Sequence, residues 1–173
     1  MTRFVRATLA VAAAGLVFGA ADAQAQVSFG IAGGPTFPMG NLGDAVDMGY
    51  HVQASAAFSL PMLPVGIQAD GMFTRFAFSD VDDANAQIIS GAINAVINLP
   101  TPGVTPYIIG GVGYYNLSDD VSDEDVNDFG INVGGGVRLG LPGLSVFAEA
   151  RLHNVFTEGE STRFVPLSIG IRL

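Results

Sequence analysis

Cysteine, lysine and tryptophan are all absent from this chain of 173 residues. Without cysteine there is no disulfide, no thiol chemistry, no cysteine-based zinc or iron–sulfur site and no lipid-anchored lipoprotein start. Without lysine no Walker phosphate loop can form, and Gly134-Gly135-Gly136 sits in an extended segment with no helix after it. Charge is scarce too. Only 13% of residues are charged, where a soluble domain carries about 25%. The seven cations, all arginine, stand against 16 acids for a net charge of -9. That balance excludes nucleic acid as a partner, because phosphate contacts need clustered cations. Beyond the N-terminus, no apolar run is long enough for a spanning helix.

What is present is alternation. Hydrophobic residues make up 49% of the chain, yet they are dispersed one in two. In the last segment Val165, Leu167, Ile169, Ile171 and Leu173 fall on one face, and Phe164, Pro166, Ser168, Gly170 and Arg172 on the other. Successive side chains of a strand point to opposite faces, so each such segment is a ribbon with one greasy side. Eight segments read this way: 27–37, 48–60, 65–75, 87–99, 106–116, 128–141, 144–156 and 163–173. Each reaches the roughly 9–11 residues that a tilted strand needs to cross a bilayer. The first is the weakest, interrupted by Gly30, Gly33, Gly34 and Pro35.

The connections alternate as well. Three are short and uncharged and share a Leu-Pro corner: Leu60-Pro61, Leu99-Pro100 and Leu141-Pro142. The others are longer and hold nearly all the acids. They carry Asp44 and Asp47; Asp80, Asp82 and Asp83; Asp119, Asp120, Asp123, Glu124, Asp125 and Asp128; and Glu158 and Glu160. Short turns at one end and long polar loops at the other predict an all-β fold, an eight-stranded antiparallel up-and-down transmembrane β-barrel over residues 26–173. Residues 1–25 read as a cleaved secretory signal: Arg3 and Arg6, an apolar stretch from Ala7 to Ala21, then small-x-small sites ending at Ala23 and Ala25.

Residue size sets which face looks outward. One face carries Val52, Phe58, Ile67, Ile93, Ile97, Ile109, Ile131, Val133, Val137, Val146 and Leu152. The opposite face carries Ser55, Ala57, Ala92, Gly110, Gly130, Gly134, Gly136 and Gly170. The second set is too small and too uncharged for a water-facing surface and fits the crowded lumen of an eight-stranded barrel. Aromatics on the apolar face gather at strand ends: Phe37, Tyr50, Phe73, Tyr115, Phe129 and Phe156 toward the long loops, Phe58 and Tyr107 toward the short turns. Interfacial girdles have this distribution.

These patterns resemble the small outer-membrane β-barrel family of OmpA/OmpX-like, porin-family barrel domains. Thr105–Tyr114 is similar to that family's fifth strand, Leu144–His153 to its charged seventh, and Val165–Leu173 to its closing strand. The family usually closes on Phe where Leu173 stands here, and Pro166 deletes one ladder donor inside the closing strand. The resemblance implies a bacterial outer-membrane location. It implies outer-membrane lipid and lipopolysaccharide as neighbours, passage by periplasmic chaperones and the barrel-assembly machinery, and a monomer.

The inward face is expected to hold Asp70, Arg138, Glu149, Arg151, Arg172, His51, Gln53, Gln68, Asn94, Asn98, Asn132 and His153. A Pro142-Gly143 turn sets Gly136 opposite Glu149 and Gly134 opposite Arg151, and brings Arg138 diagonal to Glu149 for an ion pair. Asp70, Arg138, Glu149, Arg151 and His153 are therefore read as a structural polar network inside the barrel rather than an ion path or a catalytic cluster. No Gly-x-Ser-x-Gly elbow occurs, and both histidines point inward. The acidic third loop fails the EF-hand pattern, with Asp128 and Gly134 where Gly and Glu are required. No cofactor or metal is expected, and no enzyme. The role expected is a structural barrel without an open pore that presents four acidic extracellular loops. A loop-borne adhesin or receptor is the alternative, and a lipid-modifying enzyme a lesser one.

Overall fold

A computed structural model describes residues 26–59, 64–77, 85–99, 101–119, 125–157 and 160–173. The signal segment, the Leu60-Pro61 corner, Pro100 of the second corner and most of the acids of the later three long loops lie outside the described residues. Eight strands follow one another: β1 (Gln26–Met39), β2 (Gly49–Ser59), β3 (Val65–Ala77), β4 (Asn85–Asn98), β5 (Val104–Asp119), β6 (Asp125–Leu141), β7 (Leu144–Thr157) and β8 (Glu160–Arg172). Each pairs antiparallel with the next, and β1 pairs with β8 to close the barrel. Reciprocal backbone hydrogen bonds between Phe29 and Leu173, at 3.0 and 2.8 Å, extend that closing ladder.

All eight expected strands form, and several run longer than the alternation indicated. The first is continuous over 14 residues despite its glycines and proline, because partners on both sides fix the backbone that local propensity leaves loose. Proline leaves its mark on the pairing instead. The β1–β8 register skips Gly34↔Ser168 and Pro35↔Leu167, and the β7–β8 register skips Arg151↔Pro166 and Leu152↔Val165. Each gap sits where a proline has no N–H to donate. The first long loop adds a short helix that alternation did not foretell, α1 (Asn41–Ala45), which packs against β1 and β8. At the other end Leu141 pairs with Leu144 across a two-residue Pro142-Gly143 turn. Gly143 has φ +80° there, the left-handed value that a Pro-Gly type II turn demands.

The outward face is apolar: Ile93, Val112 and Ile169 are 63–70% exposed. Arg75 and Arg163 share this face only at the loop end, where Arg163 Nε donates to Asn154 Oδ1 at 2.9 Å. The fifth strand corrects the expected facing. Tyr107, Ile109 and Tyr115 point inward and are fully or nearly fully buried, while Ile108, Val112 and Tyr114 face out. Gly110, read as luminal, belongs to the outward set. Both faces of this strand are apolar, so alternation carries no direction; room decides it. Tyr107 pairs with Gly136 and Ile109 with Gly134, positions where the neighbour has no side chain to compete. Tyr114 takes Tyr115's place in the outer girdle, edge-to-face against Phe129 at 5.2 Å.

The same crowding makes two glycine types separable. A Cβ at Gly136 would lie 2.5 Å from the Ala148 carbonyl oxygen and 2.6 Å from the Tyr107 ring, whereas one at Gly71 meets nothing within 4 Å. Gly136→Val should lower stability by about 1–3 kcal/mol, the usual cost of overpacking, and Gly71→Val should leave it nearly unchanged. Urea midpoints of the two variants, read by the gel mobility difference between unheated and boiled protein, check this.

Candidate functional site

Among the described residues the buried charge lies in the lumen, which is layered along the barrel axis. Nearest the long loops is an apolar layer of Met72, Phe76, Ile88, Tyr115, Val155 and Phe164. Val46, from the segment just after α1, drops onto it with 2% of its surface exposed, and Leu42 packs beside it. The Asp47 amide donates to the Ala77 carbonyl at 2.9 Å and holds that segment over the end of β3. His153 belongs to this layer: it stacks on Phe164 at 4.9 Å, and its Nδ1 lies 2.9 Å from the Tyr115 hydroxyl. Large apolar side chains in the lumen were not legible as such, since Phe76 and Ile88 each fall near a strand end, where facing is least certain.

The middle layer is polar and joins opposite walls. Arg151 on β7 sends Nη1 to Asp70 Oδ2 on β3 at 2.5 Å, and its Nε to Glu149 Oε1 at 2.5 Å. β3 and β7 are four strands apart in a ring of eight, so this one guanidinium spans the barrel. Both carboxylates have further donors. Gln68 Nε2 and Asn94 Nδ2 reach Asp70 at 2.8 and 2.7 Å, and the Tyr107 hydroxyl donates to Glu149 Oε2 at 2.8 Å. Asn132 Nδ2 on β6 adds a bond to Asn94 Oδ1 on β4 at 2.8 Å. Such satisfaction is what lets charges sit in a low-dielectric interior.

Here the expected pairing is corrected. Gly136 does stand opposite Glu149 and Gly134 opposite Arg151, but no ion pair forms between Arg138 and Glu149. Arg151 takes that carboxylate from two residues along its own strand, because the glycine opposite leaves its chain free to bend across the lumen. The Arg138 guanidinium lies instead over the Tyr107 ring, 5.1 Å from its centroid. Of the five residues read as one network, Asp70, Glu149 and Arg151 are joined directly, Arg138 touches them only through Tyr107, and His153 sits in the apolar layer above. The link is Tyr107, a residue that alternation alone places on the lipid face and the structure turns inward.

The second histidine makes its own set of contacts. His51 Nδ1 lies 2.9 Å from Thr36 Oγ1 and its Nε2 lies 2.8 Å from Ser168 Oγ. All three side chains are buried inside the barrel, at 0–4% exposure. Among the described residues no cluster of three or more metal-ligating side chains occurs.

A closed barrel with an apolar exterior and a charged lumen is the arrangement that the outer-membrane reading requires. A model of the outer membrane protein beta-barrel domain matches residues 8–171. The chain belongs to this family. Solved barrels of similar shape include Neisserial surface protein A, with a TM-score of 0.71 at 19% identity, over 86% of this chain and 97% of that one. A major outer membrane protein from Thermus thermophilus gives 0.61 at 16% identity, over 86% and 98%. The outer membrane enzyme PagL gives 0.56 at 17% identity, over 86% and 99%. At these identities the likeness is one of fold. No curated protein matches the chain.

The two arginines near Glu149 now have separable roles in this outer-membrane barrel. Glu149→Ala leaves Arg151 half-paired and should cost about 3–5 kcal/mol, the range for breaking a buried ion pair. Arg138→Gln removes no ion pair and should change the urea midpoint far less. Equal losses in the two variants would contradict this assignment.

Proposed function

We propose that this protein is a structural outer-membrane barrel with a plugged interior, which presents its acidic loops outside the cell and conducts no ions. The Asp70–Arg151–Glu149 bridge carries this reading. A side chain in direct contact with the opposite wall narrows the lumen at its level, and the apolar layer capped by Val46 above it supports a closed interior. Eight strands make a lumen that side chains just fill.

Support for a non-catalytic role comes from where the hydroxyl–imidazole contact lies. Ser168 and His51 face the lumen, away from the surface that lipid substrates would reach, and the third partner is the Thr36 hydroxyl rather than a carboxylate. The long loops and the strand ends beside them hold 13 of the chain's 16 acids, a composition that keeps loop tips solvated and repels neighbouring barrels.

The protein reconstituted in planar bilayers should give no sustained conductance. Stable unitary current steps at neutral pH would overturn the plugged reading, whereas steps appearing only in an Asp70→Ala, Arg151→Ala double variant would bear it out.

A further inference from the structure

The charges at the short-turn end of the lumen do not balance. Below the apolar layer the lumen holds three cations, Arg138, Arg151 and Arg172, and two anions, Asp70 and Glu149, and Arg151 takes both anions; Asp128, with a buried Oδ2, lies at the loop end opposite Tyr115. Among the described residues, Arg138 and Arg172 form no ion pair. Both point inward near the short-turn end, from β6 and β8, on either side of Phe147 and Ser145 of β7. Arg172 is 7% exposed. Its Nη2 donates to Gln68 Oε1 at 2.5 Å and reaches Ser55 Oγ at 3.5 Å, and its guanidinium covers the Phe147 ring at 5.3 Å. The Nε of Arg172 and the Nε of Arg138 are each buried with no hydrogen-bond partner among the described residues. Two like charges sharing a weakly polar space repel, and each unmade charged hydrogen bond costs free energy.

Both guanidiniums line one cavity of about 380 Å³ at the short-turn mouth, together with the residues Ser28, Ser59 and Ser145. No carboxylate side chain lies in any short turn, and the terminal carboxylate of Leu173, which also lines the cavity, forms no ion pair with either guanidinium among the described residues. In this family short turns face the periplasm. Planar guanidinium forks flanked by hydroxyl-bearing residues suit a tetrahedral oxyanion, which offers several acceptor oxygens at once.

We propose that this mouth binds a phosphate group through Arg138 and Arg172, supplied either by a free phosphate or by the headgroup of an inner-leaflet phospholipid. The bound anion offsets the two cations at this mouth and takes up the free guanidinium donors. The site is distinct from the Asp70–Arg151–Glu149 bridge and does not depend on whether the lumen conducts.

Titration calorimetry on protein extracted folded in octyl glucoside, in a chloride-poor buffer, tests it with two probes. These are inorganic phosphate and dihexanoyl phosphatidic acid below its micelle concentration. Saturable binding at one site is expected, weakened about tenfold by Arg138→Gln or Arg172→Gln, as loss of a charged hydrogen bond implies. Arg163→Gln, at the opposite end, should have no effect. Binding of inorganic phosphate alone identifies a soluble oxyanion as the ligand; binding of the lipid phosphate alone identifies a headgroup. Retained unheated gel mobility shows that each variant is folded, and Arg138→Gln, which breaks no ion pair, keeps the test open if Arg172→Gln fails to assemble. Absence of binding by both probes, or binding that both folded variants retain in full, overturns the proposal.

Discussion

A backbone that crosses hydrocarbon must find every hydrogen-bond partner within the protein, and strands meet that demand only by closing on themselves. The β1–β8 ladder is where this chain does so, and the rest of the architecture follows. Closure at eight strands leaves a narrow lumen, so each large inward residue needs a small one beside it. Tyr107 lies against Gly136, Ile109 against Gly134, and Arg151 extends past Gly134 toward β3. Glycine at these positions serves the space requirement of its neighbours more than any local flexibility.

Two prolines test the same constraint from the other side. Pro35 and Pro166 each withhold a ladder donor at mid-wall, on opposite edges of β8. The register is unchanged across both gaps, because pairing resumes in the same alignment above and below. A closed sheet tolerates single missing rungs where an open edge would offer them to another chain.

Charge in the lumen is distributed by the same economy of space. One guanidinium joins Glu149 on its own strand to Asp70 on the opposite wall, and the two carboxylates gain further donors from Gln68, Asn94 and Tyr107. The remaining two arginines cluster at the short-turn mouth, while the acids crowd the long loops. The protein is thus polarised along its axis, acidic at one end and basic inside the other. An apolar layer between Val46 and Phe164 separates the polar lumen from the loop end.

Strand number, hairpin order, the lipid-facing apolar set on seven of eight strands and the inward placement of every polar residue in the network were legible from alternation, because side-chain period and strand geometry coincide. The Gly136–Glu149 and Gly134–Arg151 pairings were legible as well, since a two-residue Pro-Gly turn sets the register. The facing of β5 was not, because both its faces are apolar and only the vacancy left by β6 glycines turns Tyr107 and Tyr115 inward. Nor was the choice of Arg151 over Arg138 as partner to Glu149, made by the same guanidinium that crosses the lumen to a residue 81 positions away. Local pattern dictated what each strand would bury; only the closed ring decided which buried groups would meet.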